Sequence, residues 1–335
     1  MLHKKLKLSD QPEPEPTATG AGFGYAPTEF ALRPQSLPIT SPHFAPPPQY
    51  QPALPALPAL PAVPALPALP ALPAVPALPL YYHPAVVPPL WQRIYQLELQ
   101  LCDALKQIPL PAEVAATYDP IQYAAELHLA YMQRFLDRPK AVLFLGMNPG
   151  PWGMCQTGVP FGYVPAVRDW MQLRGQVYKP VGELEVRPVQ GLACTRGEQS
   201  GQRWWGLFEQ LCGTPDNFFR NCFVWNICPL AFFHASGRNI TPAELKGAAK
   251  TSIQQVCNDY LKTALDLFNP AIVVSVGRYT EDRVKALVKQ NLLDPNRVQL
   301  SCMPHPSPRS LNNTNWSEKA RQWLVDNGVM PYLQP

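Results

Sequence analysis

With 335 residues the chain is long enough for two domains, but 43 of them are proline and these crowd into the first quarter, so the folded part is shorter than the chain. Residues 1–92 carry four basic and four acidic side chains, so the net charge of +4 belongs to the remainder and permits a basic face for phosphates without demanding one. No basic-then-apolar leader and no charge-free apolar run of about 20 residues occurs, and the eight cysteines show neither zinc nor iron-sulfur spacing, which argues against secretion, a membrane span and a metal centre.

A soluble intracellular protein with reduced, mostly buried thiols is therefore expected, with no metal and no cofactor. Lys4, Lys5 and Lys7 form a basic cluster too short to read as a nuclear signal by itself. From Pro52 to Leu78 the triplets Pro-Ala-Leu and Pro-Ala-Val follow one another nine times. Polyproline II has three residues per turn, so each position of the triplet lines its own stripe on a semi-rigid rod. Such composition cannot build a core, and residues 1–88 are expected to be a disordered Pro-rich tail. The tail is either an unconstrained expansion or a dock for a protein that binds Pro-rich motifs.

Order is expected from residue 89 to residue 335, in one domain. Trp91 to Ile108 spaces Trp91, Ile94, Tyr95, Leu101, Cys102 and Leu105 along one helical face. Asp119-Pro120-Ile121-Gln122 joins an N-cap acceptor to a proline at the first helical position and predicts a helix to about Leu136. Thr241-Pro242-Ala243-Glu244 is a second such signal and predicts a helix to about Phe268. Trp204 and Trp205 fall on the buried side of a further helical pattern.

Four short apolar runs read as buried strands: Ala141 to Gly146, Cys222 to Ile227, Ala271 to Val276, and Val298 to Cys302. Long helical patterns separate them, which predicts an α/β fold of three layers, α/β/α, around a mostly parallel four-stranded sheet. Ligands bind beyond the carboxyl ends of strands in such sheets. Three of those ends lead into Met147-Asn148-Pro149-Gly150-Pro151, Asn226-Ile227-Cys228-Pro229 and His305-Pro306-Ser307-Pro308-Arg309. Each loop is stiffened by proline and offers an amide, an imidazole or a guanidinium. Taken singly, Asn before Pro is often only a turn former, and a lone histidine is usually structural. On three neighbouring strand ends the same groups would converge on one preorganised cleft.

GMNPGPWGMCQTGVPFG at 146–162, NICPL at 226–230, SGRNITPAEL at 236–245 and HPSPR at 305–309 together resemble the single-strand-selective monofunctional family of the uracil-DNA glycosylase superfamily, over residues 92–332. The resemblance implies a monomeric nuclear enzyme of base excision repair that flips a damaged base from single- or double-stranded DNA, cuts it from the sugar and leaves an abasic site. It implies that His305 donates to uracil O2 as charge builds there and that Asn148 positions water. An amide cannot take a proton at neutral pH, so Asn148 orients water without serving as general base. Asn226 would read the edge of the base, Phe161 would stack on it, and Met147 would line its pocket. Gly150, where uracil-only relatives carry a bulky tyrosine, would leave room for 5-hydroxymethyluracil and 5-formyluracil while a bound water rejects thymine. Ser307, Pro308, Arg309 and Ser310 match the segment that pinches the DNA backbone and wedges into the vacated stack, with backbone amides helping to hold phosphate.

Some positions depart from the family's pattern. Ser310, Leu311 and Asn312 replace an Asn-Pro-rich continuation, Trp152 stands where phenylalanine is common, and Trp225 beside Asn226 could reshape the pocket wall. No lysine in the three loops offers a Schiff-base nucleophile, which disfavours a lyase step. The mismatch-specific thymine/uracil branch shares the first asparagine but lacks the histidine, and the iron-sulfur branches need cysteines that are not spaced here. The competitor of another class is a non-catalytic binder of damaged DNA whose tail recruits partners.

Overall fold

Four parallel strands organise the described part of the chain, which in this computed structural model comprises residues 87–310 and 313–334. The Pro-Ala-Leu tail lies outside the described residues, as do Leu311 and Asn312. In chain order the elements are α1 (Leu90–Lys106), β1 (Ala116–Tyr118), α2 (Pro120–Tyr123), α3 (Ala125–Phe135), β2 (Val142–Gly146), α4 (Met154–Thr157), α5 (Gln199–Cys212), α6 (Pro215–Asn221), β3 (Cys222–Asn226), β4 (Ala231–Phe233), β5 (Asn239–Ile240), α7 (Gly247–Phe268), β6 (Ile272–Val276), α8 (Arg278–Lys289), β7 (Gln299–Met303) and α9 (Trp316–Asp326).

The main sheet has the order β3-β2-β6-β7 with every pair parallel, as the four apolar runs predict. Every residue of β2, β3 and β6 is buried, because helices cover both faces, whereas β7 is the half-exposed edge. On one face Phe144 meets Trp204 and Phe208 of α5 and Phe218 of α6 at centroid distances of 5.3, 5.6 and 6.0 Å. On the other, Phe223 stacks on Tyr131 of α3 at 5.0 Å and Trp225 meets Phe268 of α7 at 6.1 Å. These are the three layers, and the aromatic pairs between them add directional packing to burial. Register places Gly146 opposite Asn226 and Val276 opposite Met303, so the strand ends that carry the three loops lie at one edge of the sheet.

Two expected helices are interrupted. Asp119 caps as predicted, its side chain accepting from the amides of Ile121 and Gln122 at 3.1 and 3.3 Å, but the helix breaks at Ala124. The Tyr123 carbonyl is taken there by the amide of Tyr178 at 2.8 Å, which removes a rung of the helical ladder. At Thr241 the Glu244 carboxylate does reach back to the Thr241 amide at 2.8 Å, yet only one turn follows. Leu245 tucks into the core, Lys246 is extended, Gly247 is left-handed at φ 60°, and α7 starts only at Gly247. A second, antiparallel sheet of order β1-β4-β5 was not expected at all.

All eight cysteines are free thiols, and burial pushes that of the partly exposed Cys302 up to about 11. No helix among the described residues is long and apolar enough to cross a membrane.

Candidate active site

The first loop leaves β2 at Gly146 and is tied to the second beyond the end of the strands. The amides of Ile227 and Cys228 donate to the carbonyls of Gly146 and Met147 at 3.0 and 2.9 Å, prolonging the parallel ladder across the loops. Asn148 and Asn226 are thereby held in a fixed relation. The Asn148 Nδ2 donates to the Leu230 carbonyl at 3.3 Å, which orients the amide and leaves its Oδ1 to accept from a water. Leu230 directly precedes β4, so the small antiparallel sheet anchors this acceptor.

Asn226 is buried at the end of β3, where strand alternation turns it toward the cavity and Trp225 away from it. Trp225 therefore takes no part in the pocket wall, contrary to expectation: its Nε1 donates to Glu98 of α1 at 2.8 Å on the far face of the sheet. The Asn226 Nδ2 donates to the thioether of Met154 at 3.1 Å. A thioether can only accept, so it fixes which end of the amide is NH2. Oδ1 faces Gly146, where a Cβ would stand 2.1 Å from it, so no other residue fits at that strand end. What fixes the Asn226 amide was not legible in the sequence, and Met154 supplies it.

The third loop follows β7. The Ser307 amide donates to Nδ1 of His305 at 3.1 Å, which makes Nδ1 the acceptor and leaves the hydrogen of the neutral ring on Nε2. Burial pulls the imidazole down to about 4, so the ring is neutral through the physiological range. Gly277, left-handed at φ 91° between β6 and α8, lets the ring pack close: a Cβ there would be 3.2 Å from the His305 Cβ. The loop is braced from behind by Asn313, whose Nδ2 donates to the carbonyls of His305 and Ser307 at 2.9 and 2.6 Å. Arg203 of α5 donates to the Pro306 and Asn313 carbonyls at 3.3 and 3.0 Å, and the Trp316 Nε1 donates to the Pro304 carbonyl at 2.8 Å.

Asn148, Met147, Gly150, Phe161, Asn226, His305, Ser307, Pro308 and Arg309 line one cavity of about 750 Å³. Ser310 does not line it, and its amide donates to the Ser307 carbonyl at 3.1 Å. The amides of Ser307, Arg309 and Ser310 are all used inside the loop, and its two prolines have none to give. Among Ser307 to Ser310 this leaves the Ser307 hydroxyl and the exposed Arg309 guanidinium, rather than backbone amides, as the groups open to a partner.

Phe161 lies flat against Trp204 at 4.7 Å with an interplanar angle of 15° and stands 6.0 Å from the His305 ring. Its backbone is left-handed at φ 53°, an uncommon conformation for a bulky residue. Trp152 also lines the cavity and carries the guanidinium groups of Arg187 and Arg196 over its ring at 5.0 and 4.2 Å. With Arg238, Arg278 and Arg309, Arg187 gives the wall a basic character suited to a polyanion. Arg187, Arg278 and Glu198 were not singled out from the sequence, because none belongs to a recognisable local pattern; Met154 and Arg238 fall inside the family-like stretches 146–162 and 236–245, where nothing local marks their roles.

The cavity thus offers a buried acceptor and donor side by side on Asn226, an aromatic floor, a neutral histidine donor, and an oriented amide at Asn148. A sequence model described as the uracil DNA glycosylase superfamily matches residues 134–326. The chain is 46% identical over 239 residues to the single-strand selective monofunctional uracil DNA glycosylase of Bos taurus, covering 71% of this chain and 87% of that protein. It is 46% identical over 237 residues to the corresponding enzyme of Mus musculus, covering 70% and 84%. The crystal structure of wild-type Pedobacter heparinus SMUG2 superposes with a TM-score of 0.51 at 15% identity, covering 73% of this chain and 97% of that one, a likeness of fold.

Proposed function

This chain belongs to the uracil-DNA glycosylase superfamily, in its single-strand-selective monofunctional family, and we propose that its cavity receives a flipped pyrimidine and holds it while the bond to deoxyribose breaks. It is a hydrolytic uracil-DNA glycosylase, and its substrate is DNA. The observation that carries the reading of the site is the pairing of Asn148 and His305 across one cavity, each brought from the end of a different parallel strand.

Rupture of the C1′–N1 bond leaves the sugar with oxocarbenium character and the base with negative charge, much of it on O2. His305 Nε2–H donates to O2, and the donor strengthens as the charge grows. A neutral donor is the appropriate form here, since the ring need not surrender its proton to the departing base. Water held on the Asn148 Oδ1 adds to C1′ and loses a proton to solvent. A cationic sugar asks little of its nucleophile, so an amide suffices where a base would otherwise be needed. Asn226 accepts from uracil N3–H and donates to O4, and cytosine, with the opposite pattern, meets donor with donor. Phe161 stacks on the base, a contact worth roughly 1–3 kcal/mol that helps to offset the cost of unstacking. No lysine lines the cavity among the described residues, consistent with a monofunctional enzyme.

The neutral imidazole has a kinetic signature. Because its protonation is displaced to about 4, single-turnover excision of uracil should run flat from about pH 5 to about pH 8, with no inflection near the ordinary histidine value of about 6.5. An inflection between pH 6 and 7 that disappears in His305→Ala would contradict this assignment.

The finer reading extends the substrates to 5-hydroxymethyluracil and 5-formyluracil, in single- and double-stranded DNA, with thymine refused. We further place the enzyme in the nucleus as a monomer whose catalytic domain is residues 89–335, with the Pro-rich tail as a spacer or a dock for a Pro-rich-motif-binding protein. The test is strand breakage after alkali on labelled oligonucleotides, single-stranded and duplex, bearing uracil, 5-hydroxymethyluracil, 5-formyluracil or thymine at one position. Breaks at the first three and none at thymine are expected. Breaks at uracil alone would remove the C5-modified substrates from the reading. No breaks from folded protein would leave a non-catalytic binder of damaged DNA.

A further inference from the structure

Glu198 is the one carboxylate on the cavity wall among the described residues, and the reaction outlined above makes no use of it. It stands just before α5 and packs against the first loop: a Cβ on Gly150 would lie 2.6 Å from its Oε2, and a Cβ on Gly153 would lie 2.9 Å from its Cγ. The room created by the missing side chain at Gly150 is therefore not empty; a carboxylate occupies it.

Where this carboxylate meets a bound base follows from the fixed amide of Asn226. Its NH2 end points toward Met154, so a base read by that amide places O4 on the Met154 side. Around the ring from O4 the next atom is C5, and along the chain from Met154 the next contact is Gly153 with Glu198 behind it. Resting on the proposed seating of the base, we infer that Glu198 is a specificity-determining residue that faces C5 and selects pyrimidines by what that carbon carries.

The chemistry of selection is that of a half-buried acceptor. A hydroxymethyl group at C5 donates its O–H to the carboxylate, forming a charge-assisted hydrogen bond. Hydrogen at C5 leaves space for a water that solvates the same oxygen. A methyl group expels that water and returns nothing, leaving a carboxylate desolvated against carbon, which is how thymine is refused. Burial holds the Glu198 carboxyl above the usual glutamate range, although the backbone amides of Trp152 and Ser200 and the charge of Arg309 act the other way. A formyl group offers only an acceptor, so 5-formyluracil should rank below 5-hydroxymethyluracil.

The experiment measures kcat/KM on single-stranded oligonucleotides with uracil, 5-hydroxymethyluracil or thymine, for the wild-type enzyme, Glu198→Ala and the near-isosteric Glu198→Gln. Uracil is the internal reference, so a general loosening of the first loop cancels in the ratios. In Glu198→Ala the 5-hydroxymethyluracil to uracil ratio should fall by at least about tenfold and the thymine to uracil ratio should rise by a similar factor, with the same directions and smaller sizes in Glu198→Gln. Both ratios unchanged within about twofold in folded variants would overturn the role of Glu198 while leaving the substrate reading intact. A wild-type enzyme inactive on 5-hydroxymethyluracil would instead sink that substrate reading, and the role of Glu198 would then stand or fall on the thymine ratio.

Discussion

Replacing His305 with alanine should lower single-turnover excision of uracil by about 10²–10³-fold, the cost of deleting one preorganised donor aimed at developing charge. The size rests on how completely the ring is prepared before substrate arrives. Ser307 fixes the tautomer, Gly277 admits the ring, and Asn313, Arg203 and Trp316 hold the carbonyls around it. A donor already aimed costs no reorganisation when the bond breaks, so its loss falls mainly on kcat. The substitution removes a half-buried ring at the edge of a cavity, so stability should change little by comparison. A loss of less than about tenfold would mean that the negative charge is stabilised elsewhere.

The second large effect is on stability. Glu98 of α1 is only 3% exposed, and its carboxylate accepts from Trp225 Nε1 and from His128 Nε2, both at 2.8 Å. The other ring nitrogen of His128 lies 2.7 Å from the Gly158 carbonyl, which can only accept. Both nitrogens therefore carry hydrogen and the ring is an imidazolium. Burial works against that charge, but the Glu98 carboxylate and the Gly158 carbonyl outweigh it and the His128 pKa is raised. This pair forms a truss behind the site, linking Trp225, which precedes Asn226, to the loop that leads to Phe161.

Glu98→Ala leaves a buried cation and an indole N–H without partners and should destabilise the domain by about 3–5 kcal/mol. Glu98→Gln should cost far less. A glutamine oxygen can accept from Trp225 while its NH2 donates to the Nε2 of a neutral His128 that still donates from Nδ1 to Gly158. The two variants also differ in pH dependence. A histidine whose pKa is higher folded than unfolded stabilises fully below its unfolded value of about 6.5, and that contribution is lost as pH rises through the folded value. Urea midpoints of the wild type should thus fall through this group as pH rises above about 6.5, and Glu98→Gln should lose that slope. Equal destabilisation by alanine and glutamine, or an unchanged slope in the glutamine variant, would contradict the charged pair.

Much of the architecture is legible in the sequence because it depends on local pattern. The four strands show as continuous apolar runs since both faces of the sheet are covered, and the loops Met147–Pro151 and His305–Arg309 show because proline and glycine mark strand ends. The helix interruptions do not show. One arises from a bond between Tyr178 and Tyr123, the other from a turn that buries Leu245, and neither is encoded in residues near the break. The antiparallel sheet is made of strands two or three residues long, too short for any alternation to register. Trp225 is different: the alternation of β3 already sends it away from Asn226, so its exclusion from the pocket follows from strand geometry. Glu198, Met154, Arg203 and Asn313 gain their roles only through contacts made across the fold, as in the reach of Arg203 to Asn313.

We propose above all that Asn148 and His305 serve one bond-breaking event from the ends of two different parallel strands. It is tested by single-turnover release of uracil from a single-stranded oligonucleotide by the wild type, Asn148→Ala, His305→Ala and the double variant. Groups that act as a unit give non-additive losses, so each single variant should fall at least about a hundredfold and the double variant should be much less impaired than the product of the two. Wild-type rates retained in either folded single variant would contradict the assignment of that residue, and retention in both would return the cavity to a recognition role without catalysis.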